Sequence, residues 1–386
     1  MKVLMLSTSY PREVGDYAGN FVHSLSKKLN MRGLDVSVLA PHGRDTRTVE
    51  DLEGVLVRRF QYMPLKSWHS VAYDRGLQYN VKTLSGMLQM PFFLLSYLIS
   101  AFKHSRKCDI LHAHWLLSGF LAVLVKKARR RPVVLTLQGF DINTLPESGF
   151  MASIGSWVLN GCDAVIAVNT RMMDRLEKLG VDGSKVHFIP NGVDPELFCH
   201  AGREAHGRRI ITAGVLVDKK GHKYLIEALK KVKESYPDVE LTVVGDGPLR
   251  GELEGQALRA GVADNVRFLG FRDVRELPSL FASSDVFVLP SLSEGMPLVL
   301  LEAMSVGRAV VASNVDGVPD VIEDGVNGLL VEPARPDLLA DALNRLLGDD
   351  ALLARLSENA RQRVLSGFTW DVISSETHKV YGAFLV

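Results

Sequence analysis

The chain has 386 residues, is 47% hydrophobic and 23% charged and has no low-complexity tract, which excludes a single small module, a disordered chain and a fibrous protein and predicts two domains. Lys and Arg total 45 against 44 Asp and Glu, a net charge of +1, so nucleic acid is not expected as a partner. That sum is a cancellation: residues 1–150 hold 20 basic against 11 acidic side chains, 151–200 hold 4 against 6, and 201–386 hold 21 against 27. The +9 excess of the first 150 residues predicts contact with something anionic, such as a membrane surface or a phosphorylated acceptor.

At the N-terminus Lys2 is followed by only VLML before Ser7, too short an apolar run for a signal peptide; Lys2–Ser7 reads as a buried strand. A helix over 17–30 and a strand over Val36–Ala40 follow. The most apolar stretch, Met90–Phe102, has 13 residues and includes Ser96 and Ser100, fewer than the ~20 a membrane span needs, so no transmembrane helix is expected. Met87–Phe102 is flanked by Lys103, Arg106 and Lys107, with Lys126, Lys127, Arg129, Arg130 and Arg131 further on. These features suit an amphipathic helix lying on anionic lipid, or an ordinary buried helix with solvated lysines.

Short apolar strands at Ile110–His112, Val133–Leu137, Ala164–Val168 and Val186–Ile189 alternate with helical stretches, the pattern of a parallel α/β sheet. The first domain is placed at 1–190. The Gly- and Pro-rich segment 191–209, opening on Asn191-Gly192, reads as a linker. A second strand series, Ile210–Ala213, Leu241–Val244, Val266–Leu269, Val286–Leu289 and Ala309–Ala312, with helices at 221–234, 249–260 and 297–305, makes a second parallel sheet over 210–365. Residues 366–386 form a closing helical region that returns to the first domain. Two doubly wound, Rossmann-like domains facing across a cleft would bind ligands at the carboxyl ends of their strands. Three cysteines, Cys108, Cys162 and Cys199, with no C-x-x-C pair, argue against a disulfide scaffold or zinc ribbon and for a reducing cytoplasm.

Chemistry concentrates in Ser293-Glu294-Gly295-Met296-Pro297. Pro297 suits a first helical position, Gly295 permits close backbone approach, and the helix N-terminus favours an anion such as diphosphate. Glu294 and Glu302 then flank that anion site, able to grip hydroxyls at opposite ends of a nucleotide-sugar. His112 and His114 share one strand face; with no third ligand at recognisable spacing they read as cleft or core histidines rather than zinc ligands. Gly245-Asp246-Gly247-Pro248-Leu249-Arg250-Gly251 follows a strand and opens a helix, which leaves a dinucleotide fingerprint, and so an NAD(P)-dependent oxidoreductase, as an alternative.

The run EGMPLVLLEAMSVGRAVVAS resembles the E-x7-E signature of family 4 retaining glycosyltransferases, whose GT-B fold pairs two Rossmann-like domains. YPREVGDYAGNFVHSLSKKL resembles the family's N-terminal glycine loop, here containing Gly19, and HAHW, TLQGFD and PNGVD match its middle and interdomain motifs. GVLVDKKGHKYLIEAL, VVGDGPLR, FLGF and FVLPS follow in order, and the closing GFTW with Tyr381 resembles the C-terminal helix region. The resemblance implies a UDP- or GDP-sugar donor, no metal or other cofactor, and a glycan or lipid-linked acceptor; cysteine usage and the basic first half place the protein in the cytoplasm, peripheral on the inner membrane face. It implies that Glu294 contacts the transferred sugar, Glu302 the ribose, and Gly295, Met296, Pro297 and Leu298 the donor. Lys220 would neutralise the leaving diphosphate, Phe271 would lie near the base and Gly19 would belong to the donor site; Gln138, Gly139 and Asp141 fall on the acceptor side.

Two positions depart from the family's pattern. Val215 stands where Arg is common, and Gln138 where His is common, so His114 is the histidine left to stand beside the reacting sugar. These departures motivate a non-catalytic nucleotide-sugar-binding homologue as an alternative, and the fold also accommodates an epimerase or phosphorylase.

Overall fold

The structure, a computed structural model, describes residues 1–73, 76–146, 148–199 and 207–384. The chain divides into two compact units, Met1–Pro190 with Ile373–Val386, and Asn191–Val372. Of the segment read as a linker, residues 200–206 lie outside the described residues, and Val193 bridges Thr369 within the second unit.

In the first unit eight strands, β1 (Lys2–Leu6), β2 (Asp35–Pro41), β3 (Val49–Leu52), β4 (Val55–Phe60), β5 (Ile110–His114), β6 (Val133–Leu137), β7 (Ala164–Ala167) and β8 (Val186–Phe188), form one sheet. Their order is β3-β4-β2-β1-β5-β6-β7-β8, parallel except for β3 against β4. Strands β5, β6 and β7 are buried along their whole length, which is why they are mostly Val, Leu, Ile and Ala, with His112, His114 and Thr136 as the polar exceptions. The β3–β4 hairpin was not among the expected elements. Its turn, Glu53-Gly54, has φ of 48° and 83°, the positive pair that a two-residue hairpin turn demands.

The helix Leu84–His104 runs 21 residues, well beyond the expected apolar stretch, and Leu84–Lys107 is long and apolar enough to cross a membrane by length and composition. This corrects the expectation of no such segment. Gln89 had ended the apolar count, but its side chain is buried, with its amide donating to Ser70 Oγ at 3.0 Å and Ser85 Oγ at 2.8 Å, so the helix continues through it.

The C-terminal helix Trp370–Gly382 is tied to the sheet of the first unit by Tyr381, whose hydroxyl lies 2.5 Å from His112 Nδ1; His112 Nε2 is 2.7 Å from Thr136 Oγ1. A neutral imidazole can donate through one nitrogen and accept through the other, which satisfies all three buried groups. Tyr381→Phe leaves a ring nitrogen of His112 without a partner, so a loss of about 1–3 kcal/mol in denaturant unfolding is expected. Burial holds the His112 imidazole well below its ordinary titration range. The unfolded chain therefore takes up that proton first, and the stability His112 contributes is lost as the pH falls below about 6.5.

The second unit carries β9 (Arg209–Ala213), β10 (Glu240–Val244), β11 (Val266–Gly270), β12 (Val286–Leu289), β13 (Ala309–Ser313) and β14 (Leu329–Val331), in the order β11-β10-β9-β12-β13-β14. All pairs are parallel. Chain progression runs outward from β9 through β10 on one side and from β12 through β13 on the other. The carboxyl ends of β9 and β12 therefore meet at a topological switch point, where open α/β sheets bind ligands. In the first sheet β1 and β5 stand in the same relation.

Candidate active site

The loops leaving β9 and β12 are stitched together by backbone. Leu292 N–H donates to the Lys219 carbonyl at 2.7 Å, and Gly221, at φ 65°, brings its Cα against the Pro290 carbonyl, where an added Cβ would lie 2.0 Å from the oxygen. Only glycine fits there, for both conformation and space. The result is that Lys220, at the end of a short 3₁₀ turn, meets Glu294 from the neighbouring loop.

Glu294 is buried, and its Oε1 accepts from Lys220 Nζ at 2.7 Å and from Ser291 Oγ at 2.6 Å. Its own N–H donates to Asp316 Oδ2 at 2.8 Å, an oxygen that also accepts from Ser293 Oγ at 2.7 Å. The carboxylate is thus held from two sides while its loop is pinned by Asp316, whose φ of 41° turns the chain after β13 toward it. Ser291 and Asp316 were missed in the sequence. Their one signal was position, since each follows the carboxyl end of a strand.

The helix after this loop begins at Leu298; Pro297, expected as its first residue, caps it instead, with φ −75° and ψ 103°. The amides of Leu298 and Val299 precede the first bond of the helix, which runs from Leu300 N–H to the Pro297 carbonyl. Met296 and Pro297 are buried, and Gly295 and Leu298 half-buried. Glu302 lies on the same helix, half-buried, and burial alone pushes its carboxyl up to about 7. His222, the first residue of the helix after Gly221, is buried, and neither ring nitrogen has a hydrogen-bond partner among the described residues; burial, then the Lys220 cation, pushes it down to about 4.

Phe271 follows β11 with 59% of its surface exposed, and Val215 is likewise exposed, so no cation projects from that position. The glycines of GDGPLRG have a local explanation. An added Cβ on Gly245 would lie 2.0 Å from the Gly214 carbonyl oxygen, and one on Gly247 2.5 Å from that of Leu216. They allow two neighbouring loops to touch, which accounts for the spacing without a dinucleotide.

In the first unit Gly19, at φ 69°, caps the helix Asn20–Met31, and an added Cβ would lie 2.2 Å from the Ser9 carbonyl oxygen, so the loop after β1 folds tightly on itself. His114 ends β5 with 1% exposure; its ring stacks on His112 at 4.5 Å, neither nitrogen has a hydrogen-bond partner among the described residues, and burial pushes it down to about 3. It is a neutral imidazole at physiological pH. Asp141 accepts from Gln138 N–H at 3.2 Å and from Leu116 N–H at 3.1 Å, joining the loops after β6 and β5, and burial pushes it up to about 6 against those bonds. Gly139, between them, has φ 107°.

Of the two α/β units, one gathers a lysine, a carboxylate and a helix N-terminus at its switch point, an arrangement suited to an enzyme that binds an anionic ligand. Residues 18–197 match the model of Glycosyltransferase Family 4 and residues 200–363 that of Glycosyl transferases group 1. The chain is 34% identical over 279 residues to a phosphatidyl-myo-inositol mannosyltransferase of Mycolicibacterium smegmatis, covering 71% of this chain and 70% of that one. A sucrose-phosphate synthase from Thermosynechococcus elongatus superposes with a TM-score of 0.81 at 22% identity over 99% of both chains. Anabaena Alr3699/HepE in complex with UDP-glucose superposes with 0.75 at 22% identity, over 99% of this chain and 100% of that one. The fold is GT-B, and the chain belongs to glycosyltransferase family 4.

Proposed function

We propose that this glycosyltransferase moves a hexosyl or related group from a nucleoside diphosphate sugar to an acceptor hydroxyl with retention of anomeric configuration. The observation that carries the reading is the Lys220–Glu294 pair at the carboxyl ends of β9 and β12, beside the first amides of the helix Leu298–Ser305. As the anomeric carbon–oxygen bond breaks, its electron pair passes to the diphosphate. Lys220 and the amides of Leu298 and Val299 counter that charge where it develops, in place of a metal ion. The acceptor oxygen bonds to the anomeric carbon on the face the diphosphate leaves, and its proton passes to the departing phosphate oxygen.

Glu294 orients hydroxyls of the transferred sugar, and no protein nucleophile is invoked. Gly295, Met296, Pro297 and Leu298 line the donor and Phe271 borders the base; Gly19, in the loop after β1, is the donor-binding candidate of the first unit. His114, Gln138, Gly139 and Asp141, at the carboxyl ends of β5 and β6, are the acceptor-side candidates of the first unit. His114 does so as a neutral group, because its burial disfavours the cation. A donor with UDP is favoured for trial first by the UDP-glucose complex of the Anabaena neighbour, and GDP-sugars are the comparison.

Glu302 is the candidate grip on the ribose. With its carboxyl near 7, protonation below that pH removes the charged acceptor, so the donor KM is expected to rise as pH falls from 8 to 6. Glu302→Gln should have a higher KM that is flat over the same range. The reading as a whole is tested by turnover with UDP- and GDP-sugars and by NMR of the first-formed product; an inverted anomeric centre overturns retention, and absence of transfer from every donor overturns the reaction.

A further inference from the structure

The helix Leu84–His104 is apolar on two opposite faces, and only one of them is used inside the protein. Gly86, Gln89, Phe93, Tyr97 and Ala101 face inward: Phe93 and Tyr97 are fully buried, Tyr97 stacks on Phe60 at 4.4 Å and its hydroxyl meets Ser118 Oγ at 3.0 Å. On the opposite side Leu84, Leu88, Phe92, Leu95, Ile99 and Phe102 recur every three or four residues, and all six are exposed, Leu84 by 76% and Leu88 by 66%. A continuous apolar ridge of this length on a water-facing helix calls for a partner.

The charge around the ridge identifies the partner. Between Gly76 and Phe140 there are nine Lys and Arg and a single acid, Asp109. Lys82 stands just before the helix and Lys103, Arg106 and Lys107 at its far end, all exposed. From the adjacent helix, Leu116–Arg129, the Arg129 guanidinium sits 3.8 Å from the Phe102 ring centroid. On the same helix Lys127 Nζ stands 5.0 Å from the ring centroid of the partly exposed Trp157. Apolar side chains flanked at both ends by long cationic ones match the layering of a bilayer surface, with stems in the acyl boundary and ammonium groups at lipid phosphates.

From this arrangement we infer that the ridge docks the protein, parallel to the plane, on an anionic lipid bilayer. A second copy of the chain is a poor fit, because a self-complementary contact would set one basic collar against another. A spanning helix is a poor fit as well, because crossing would strip Phe93 and Tyr97 from Phe60 and Ser118. The inference stands on this surface alone and does not depend on the donor chemistry.

The full chain is sedimented with vesicles of phosphatidylglycerol and phosphatidylcholine, or of phosphatidylcholine alone. Binding to the anionic vesicles is expected, falling about tenfold between 0.1 and 0.5 M NaCl as the attraction is screened. Leu88→Glu with Leu95→Glu should lower it about tenfold, as should Lys103→Glu with Arg106→Glu and Lys107→Glu, with circular dichroism and thermal midpoint unchanged because all five side chains are on the surface. Leu88→Gln with Leu95→Gln removes the apolar groups without adding charge and should also weaken binding. The inference is overturned by absence of binding at low salt, by variants that bind like the parent, by equal salt-independent binding to phosphatidylcholine, by resistance to alkaline carbonate extraction, or by a dimer in sedimentation equilibrium that the Leu88 and Leu95 variants abolish. Transfer to a soluble acceptor is measured on the same samples; its retention in variants that no longer sediment separates this inference from the reaction.

Discussion

Glu294→Ala is expected to lower kcat/KM for glycosyl transfer by about 10²–10³-fold or more, the scale seen when one preorganised polar contact to a reacting group is removed. The geometry explains why the loss should be large. Glu294 Oε1 gathers the ammonium of Lys220 and the hydroxyl of Ser291, so truncation removes a contact to the sugar and also the anchor of the cation proposed to meet the diphosphate. Glu294→Gln separates the two effects, since it keeps the shape and an acceptor oxygen and removes the charge. If Glu294 acts on the sugar, Glu294→Gln should retain nucleoside diphosphate binding by thermal shift while its turnover collapses, and Glu294→Ala should weaken both. Near-normal turnover by Glu294→Ala in a folded protein refutes the role. The fold itself should survive, because the loop is also held by the Glu294 N–H to Asp316 bond, which alanine keeps.

Gly221→Ala should be as damaging by a different route. A side chain at φ 65° costs about 1–2 kcal/mol in backbone conformation, and its Cβ would meet the Pro290 carbonyl oxygen at 2.0 Å, a contact that backbone on both sides must move to relieve. The movement separates the Lys220 turn from the Glu294 loop and strains the bond from Leu292 N–H to the Lys219 carbonyl. A fall in stability of about 2 kcal/mol or more and a loss of turnover out of proportion to the unfolded fraction are expected, measured by denaturant titration and by rate per folded molecule. Gly251→Ala is the control. Nothing lies within 4 Å of its added Cβ and it sits in a helix, so it should be close to neutral.

Most of the sheet architecture was legible because buried parallel strands are short, mainly apolar runs, as in Val286–Leu289 or Ala164–Ala167, and the alternation with helices left one class of fold. The strands that escaped were those at an edge. β3 is an exposed edge strand and β4, next to it, is largely buried but carries Arg58 and Arg59, so Val49–Leu52 and Val55–Phe60 show no continuous apolar signal, and only the Glu53-Gly54 turn marked them. The long helix escaped because Gln89 looked like an interruption until its amide was seen bonded inside. Of the candidate site, Glu294, Lys220 and Glu302 could be named from their motifs. His112 and His114 could be named as well, yet the partnership of His112 with Tyr381 and Thr136 joins three distant stretches of chain, for which spacing in the sequence carries no signal.

Two α/β units, the family and the placement of acidic and basic residues at the ends of particular strands can be read along the chain, because periodicity, glycine spacing and charge are local properties. Tertiary structure decided which of those residues meet. Strand order puts β9 beside β12, and so Lys220 on Glu294, because hydrogen bonding between strands far apart in the chain sets which carboxyl ends become neighbours. It also decided charge state and exposure: desolvation leaves His114 neutral and lifts Glu302 toward 7, and packing on one side only leaves an apolar ridge along Leu84–His104 facing water. Burial depends on everything packed around a side chain, and no window of sequence contains that information.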